Sequence, residues 1–327
     1  MPRLSTSKPA LTVPPVTASV TTLPNGLEVL VREDPAHPLV SVQVWIKAGS
    51  LQEEKHTGAG IAHCVEHMLF KGTEKREAAQ ISQGIQALGG YVNAYTTFNR
   101  TVYWIDGLAE HTEGYLDILA DMVRHSKLDG DELTREMDVI RREMAMGHDD
   151  PGDTIQHLLM GTVFRQHPLR HPIIGHREVF DQITRADVAG FVQRHYVPNN
   201  AFVVIAGDVK ADEVLEAVKK HFGTWKRRAF DPALLPQEPR QMGTRHAAKN
   251  FTTDLTRLAF SWQIPGEIHE DKPALDVLAF LFGSGRSSRL YQELREKKAL
   301  AHWVWAGAWC AAECGLFTVE AECNPSN

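Results

Sequence analysis

The sequence predicts an α+β protein in which one unit is followed by the beginning of a second of the same kind. Two patterns carry this expectation. Alternating apolar segments open the chain and amphipathic segments with helical spacing follow them. After a stretch punctuated by Pro232, Pro236 and Pro239, a strand and a helix begin the order again. The bulk properties agree: 327 residues with 43% hydrophobic content can bury a substantial core and should make about two domains.

Taken in order, Asn25-Gly26 gives a turn, and residues 27–32 and 40–47 alternate like half-buried strands. Helices are expected over 58–70, 78–88, 113–125 and 131–146, the last ending near Gly147 and Pro151. Another helix runs over 184–195, where Thr184 and Asp187 form a capping pair. Residues 201–206 make a short apolar strand, 211–222 an amphipathic helix, and 230–241 a linker. Beyond it lie a strand at 256–263, a helix at 272–282, and Gly283-Ser284-Gly285 before a charged helix through Lys298. Those glycines make no phosphate cradle, since the preceding strand and the Lys of a P-loop are missing.

The expected layout is a flexible extension at 1–19, a first domain at 20–229, a linker at 230–247 and a partial second domain at 248–327. The first takes about 200 residues and the second only about 80, so the chain is expected to be a fragment whose second copy is cut short. A net charge of -6 without a long basic run disfavours nucleic acid as a partner. No stretch approaches the roughly 20 apolar residues of a membrane span. Of four cysteines, Cys64 lies inside the motif described next, while Cys310, Cys314 and Cys323 crowd the C-terminal segment. That is no secreted disulfide framework; three unpaired thiols in a buried sheet are favoured over a second zinc site at Cys310 and Cys314. Residues before Glu28 carry Arg3 and Lys8 and no acid, as in a transit peptide, yet Pro2, Pro9, Pro14 and Pro15 would break its helix. The expected location is therefore cytoplasmic, or the mitochondrial matrix in a eukaryote.

The chemistry sits in His63-Cys64-Val65-Glu66-His67. On a helix, residues four apart share a face roughly 6 Å apart, so His63 and His67 can hold one ion, with Glu66 beside them as a general base. This is the zinc motif in its inverted H-x-x-E-H order. The other reading is an amphipathic helix with two solvent-facing histidines. Ile61, Ala62, Val65, Met68 and Leu69 form its apolar side, Phe70 shares the histidine face, and Lys71-Gly72 reads as a stop.

Two histidines need a third protein ligand. In the helix at 131–146, Leu133, Met137, Ile140 and Met144 form a core-facing stripe, and Glu136 and Glu143, seven residues apart, flank it on one side. Carboxylates bordering a buried face are costly unless a cation compensates them. Zinc would do so, with Glu143 as ligand and Glu136 orienting a ligand or water. An exposed flank paired with Arg141 and Arg142 is the alternative.

HCVEH, with Glu143 following His67 by 76 residues, resembles the pitrilysin (insulysin) family of inverted zinc metallopeptidases. The likeness is greatest to the branch of mitochondrial processing peptidases and their bacterial relatives. Gly60-Ile61-Ala62-His63, the run from His67 to Thr73, and Gly89-Gly90-Tyr91-Val92-Asn93-Ala94-Tyr95-Thr96 with Thr101-Val102-Tyr103 carry it further. So do His167-Pro168-Leu169, the run from His195 to Asn200, and Gly207-Asp208-Val209. The resemblance implies duplicated α+β domains, each a mainly antiparallel sheet covered by helices, with the second copy truncated here. It implies one Zn2+ per chain on His63, His67 and Glu143, with Glu66 as catalytic base and Glu136 supporting catalysis. Peptide would add as a strand near Asn93 and Ala94, so broad specificity toward unfolded peptides is expected. The family's second domain also supplies an Arg and, seven residues on, a Tyr that contact substrate. Arg295 matches the Arg, but position 302 is His. Either His302 stands in for the phenol, or a related subunit of a homo- or heterodimer supplies its own Arg-Tyr pair. The rival function is a non-catalytic structural or substrate-binding subunit of such a dimer.

Overall fold

Apolar residues at every second position fold the first half of the chain into a six-stranded sheet. The computed structural model describes residues 17–327. Its strands are β1 (Ser19–Thr22), β2 (Glu28–Glu33), β3 (Leu39–Ile46), β4 (Tyr91–Thr96), β5 (Thr101–Leu108) and β6 (Ala201–Gly207), with β7 (Thr256–Pro265), β8 (Trp303–Cys310) and β9 (Cys314–Cys323) in a second sheet. The helices are α1 (Ile61–Met68), α2 (Ala78–Ala87), α3 (Thr112–His125), α4 (Gly130–Asp149), α5 (Pro151–Val163), α6 (Arg177–Phe180), α7 (Arg185–His195), α8 (Ala211–Phe222) and α9 (Lys272–Gly283).

The first sheet has the order β1-β2-β6-β3-β5-β4, with only β2 and β6 parallel. Val40, Val42, Val44 and Ile46 of β3 and Val203 and Ile205 of β6 point to one face and are buried with residues of α1, α2, α3, α4, α7 and α8. Each such side chain contributes about 1.5–3 kcal/mol by leaving water. β4 closes the sheet on one side and leaves its outer edge open. The second sheet, β7-β9-β8, is wholly antiparallel. It repeats the order β3-β5-β4, because in each half a strand, a helical stretch and a hairpin follow one another. That is the duplicated α+β architecture.

The halves meet where Leu51, Val163, Phe164 and Leu169 pack with Ala311 and Leu316. The proline-punctuated segment is strapped down there. The Glu238 carboxylate accepts backbone N–H bonds from Arg165, Gln166 and His167 at 2.9 to 3.0 Å.

Several elements depart from the sequence reading. The zinc-motif helix is only Ile61–Met68, because Gly60 takes a left-handed conformation (φ 73) and cannot continue it. The charged segment before Lys298 winds as a π-helical turn, Tyr291–Lys297. Pro151, read as a stop, is also the first residue of α5, whose cap is the Asp150 side chain. Cys310 and Cys314 are half-exposed rather than buried; all four cysteines are free. Of the extension expected at 1–19, residues 1–16 lie outside the described residues, and Ser19 opens β1. Among the described residues no helix is long and apolar enough to cross a membrane.

Candidate metal centre

An eight-residue helix is marginal by itself, so α1 depends on what holds it. Ile61, Ala62, Cys64, Val65 and Met68 are buried on one side. Its N-terminal N–H groups find Glu53, a carboxylate 3% exposed, which accepts from Gly60 and Ala62 at 3.1 Å each. That packing turns His63, Glu66 and His67 outward, half-buried, toward α4 and β4. On α4 the Asp129 side chain caps the first turn, accepting from Asp131 and Glu132. Leu133, Met137, Ile140 and Met144 then face the core, which brings Glu136 and Glu143 alongside α1.

The two histidine rings lie 4.6 Å apart. Glu143 Oε1 is 3.7 Å from His63 Nε2, and Glu143 Oε2 is 3.7 Å from His67 Nε2. These separations exceed a hydrogen bond and approach the ligand–ligand edge of about 3.4 Å that tetrahedral zinc with bonds near 2.1 Å requires. One ligand atom from each of His63, His67 and Glu143 lies within 4.8 Å of the others, the one such group among the described residues. The donor set, two imidazoles and a carboxylate with a position left open, fits zinc in a hydrolytic site.

Glu136, 5% exposed, bonds His67 Nδ1 at 2.9 Å and Lys71 Nζ at 2.6 Å. Burial raises its pKa, but those two partners outweigh burial and hold it below the usual carboxylate range. Burial alone would lower His67, yet the bond to Glu136 and the charges of Glu143 and Glu66 raise it. That bond also fixes the His67 tautomer, with Nδ1–H donated and Nε2 free to ligate. His63 is pushed down to about 3 by burial and then by His67, so it stays neutral; its Nδ1 is buried without a partner. Glu66 is raised by burial against an opposing bond from the Thr96 hydroxyl on β4. A carboxylate raised toward neutrality while held in place suits a proton acceptor. Arg141 pairs with Asp138 and Asp181, and among the described residues Glu143 has no arginine partner.

Asn93 and Ala94 lie on the open edge. The Ala94 N–H is met only by the Asn93 side-chain oxygen at 2.8 Å, a local substitute for a partner strand. Arg295 and His302 form no hydrogen bond or ion pair with the zinc-site residues. Arg295 lies over the Tyr291 ring at 4.9 Å, and His302 Nε2 bonds Asn324 at 2.9 Å. Sequence reasoning missed Lys71 and Glu53 and saw Thr96 only as a strand residue. Lys71 was visible four residues after His67, on the same helical face. Glu53 had no signal, because residues 50–56 show no period.

An α+β fold with an inverted histidine pair and an acidic side chain placed to complete a metal site fits a metallopeptidase-like class. Comparison with known proteins places the chain within it. The model of insulinase (peptidase family M16) matches residues 28–177, and that of the peptidase M16 inactive domain matches residues 182–327. An uncharacterized zinc protease of Mycobacterium tuberculosis is 35% identical over 331 residues, covering 99% of this chain and 74% of the relative. The uncharacterized zinc protease YmxG of Bacillus subtilis is 31% identical over 298 residues, covering 91% and 72%. A solved protease from Helicobacter pylori superposes with TM-score 0.88 at 30% identity, covering 94% of this chain and 75% of that one. The chain belongs to peptidase family M16, the pitrilysin-like family that the HCVEH region resembles. The names of its relatives imply zinc.

Proposed function

We propose that this chain is a zinc-dependent endopeptidase of the processing-peptidase-like kind, acting on unfolded peptides or oligopeptides. The observation that carries the reading is the convergence of His63, His67 and Glu143 beside Glu66. His63, His67 and Glu143 would hold one zinc ion. Zinc bound there supplies a Lewis acid that acidifies water and polarises a carbonyl. Glu136 holds His67 in its ligating tautomer, and Lys71 keeps Glu136 charged. Thr96 holds the Glu66 carboxylate in place. Glu66 takes a proton from the attacking water and returns it to the leaving amine. Substrate adds as a strand along β4, displacing the Asn93 side chain from the Ala94 N–H. Backbone pairing of this kind carries little sequence information, so pairing along that edge is expected to accept many sequences.

Arg295 and His302 lie in contacts of their own, so we assign the remaining substrate contacts to a related subunit of a homo- or heterodimer. A second reading, a non-catalytic subunit, draws on the inactive-domain match over residues 182–327. Every proposed metal and base residue falls instead within residues 28–177. Glu66→Gln discriminates the two. It should keep zinc and lose roughly a hundredfold or more of peptide hydrolysis, the usual worth of a general base. Unchanged hydrolysis in Glu66→Gln would overturn the mechanism.

A further inference from the structure

We propose that the cavity between the two halves is a pocket for a large apolar side chain of the peptide substrate, a specificity site beside the metal centre. The proposal deepens the peptidase reading and rests on it. The cavity has a volume of about 570 Å3, within the usual span for ligand pockets of about 300–1,000 Å3. One wall is Trp303, Trp305 and Trp309 of β8, and the facing walls are Phe98 and, from α5, Leu159 and Met160. The side chains of β8 alternate. Val304 and Ala306 are buried, Ala306 packing with Ala279 of α9, and the tryptophans project to the other face. Three of the seven tryptophans thus line one cavity and remain 39 to 46% exposed. Aromatic surface left open in a concave site marks a place where something binds.

Two of the walls, Phe98 and residues 170–173, adjoin the segments that build the metal centre. Phe98 lies two residues beyond Thr96, whose hydroxyl holds Glu66, and stands 5.6 Å from Trp309 between ring centroids. Two extended residues span roughly 7 Å, so a peptide paired to β4 passes from the metal centre onto Phe98 within a few residues. The turn bearing Phe98 is fixed, since Ser50 and Leu51 donate to the Thr97 and Phe98 carbonyls at 3.2 and 2.8 Å. A Cβ on Gly49 would lie 2.1 Å from the Thr97 oxygen, so only glycine lets them close. Residues 170–173 form the remaining wall. Next to them, the Ile174 carbonyl would be 2.1 Å from a Cβ on Gly60, the residue that starts α1.

The polarity of the lining selects an apolar guest. Arg170 donates to the Arg165 carbonyl, and Glu320 accepts from Gln156, so the rim charges are engaged. His171 is pushed down to about 4 by burial and then by His176, and His157 is lowered by burial, so both rings are uncharged at neutral pH. A charged guest would be desolvated among the tryptophans, Phe98, Leu159 and Met160 at a cost, with only the single charges of Arg170 or Glu320 at the rim to offset it.

The test uses peptides that differ at one position, Phe or Asp, within a few residues of the cut, and a binding probe carrying para-nitrophenylalanine, which quenches nearby tryptophan. The zinc-loaded chain should cleave the Phe peptides with kcat/KM at least roughly tenfold above the Asp peptides. Trp309→Ala should erase that preference while leaving Asp-peptide cleavage within about twofold. In the Glu66→Gln chain the probe should quench tryptophan emission, and joint replacement Trp303→Phe, Trp305→Phe and Trp309→Phe, which preserves packing, should remove the quench. Cleavage without preference, together with a quench that survives the triple replacement, overturns the pocket and leaves the peptidase reading standing. A quench that depends on those tryptophans in a chain that cleaves nothing supports the pocket and defeats the peptidase reading.

Discussion

Replacing each of the two acids of α4 by its amide separates their roles, and the structure sets the expected sizes. Glu136→Gln keeps an oxygen within reach of His67 Nδ1, now 2.9 Å from the carboxylate, but removes the charge that pairs with Lys71 at 2.6 Å. Losing a group that orients a ligand lowers metal affinity about 10- to 100-fold, or about 1.4–2.7 kcal/mol. Glu143→Gln instead removes the group whose two oxygens stand 3.7 Å from the two imidazole Nε2 atoms. Structural zinc sites with four ligands bind with about 10–16 kcal/mol, so one ligand is worth roughly 3 kcal/mol, more than a hundredfold. Glu143→Gln should therefore bind zinc more weakly than Glu136→Gln, by roughly two- to fifteenfold. Competition against a chromophoric chelator at neutral pH measures both, with circular dichroism to check the fold. Wild-type affinity in Glu143→Gln, with a large loss in Glu136→Gln, would show that Glu136 is the third ligand.

Zinc removal should also loosen the fold, because His63 and His67 lie on α1 and Glu143 on α4. At a zinc concentration 100 times Kd the ion adds about 2.7 kcal/mol, so a chelator should lower Tm by roughly 4 °C, read by scanning calorimetry; an unchanged Tm would mean that the folded chain does not hold the ion. Glu53 gives a pH test in the metal-free chain. Burial pushes its pKa up to about 8, against backbone N–H bonds from Ala62 and Gly60 that pull it down. A raised folded value means that the stability from the protonated group is full below its ordinary value near 4.5 and is lost as pH rises through about 8. Glu53→Gln cannot ionise, so between about pH 5 and 8 its urea midpoint should fall less with pH than that of the parent chain; parallel slopes would show that Glu53 is ionised throughout.

What was legible in the sequence was whatever repeats or caps. Ile61, Val65 and Met68 keep helical spacing in eight residues, and Thr184 with Asp187 forms the capping box that starts α7. The hydrophobic stripe of α4 by itself sets Glu136 and Glu143 on one flank. What stayed hidden depends on contacts distant along the chain. β1 is four residues, SVTT, with no buried member, and exists because it pairs with β2. α5 carries Gly152 and Gly161, poor helix formers, and is held by the Asp150 cap and by packing on β7. Glu53 sits in a 3-10 segment, Ser50–His56, with no periodic pattern, and only the fold shows that it caps α1. Arg295 and His302 were read from the family resemblance, which does not show what each side chain touches in this chain.

The repeated strand order explains why the two halves need not do the same work. β3-β5-β4 and β7-β9-β8 are the same three-stranded arrangement, and each ends on an edge strand, β4 or β8. Between β3 and β4 the chain places His63, Glu66 and His67 on α1. The equivalent interval between β7 and β8 holds α9 and the π-helical turn, and from Lys272 to Lys297 it contains neither histidine nor cysteine. The helical segments of that copy therefore carry no histidine pair with which to build a site of the same kind, its two histidines, His269 and His302, lying outside them. Its edge strand carries Trp303, Trp305 and Trp309 instead, turned toward α5 and the β4–β5 turn of the first half. Duplication thus leaves one edge to align a peptide backbone with the proposed catalytic residues and the other to select a side chain. Trp309→Ala should accordingly alter which peptides are cut while leaving zinc affinity unchanged, whereas Glu143→Gln should weaken zinc binding and lower the cleavage of every peptide alike.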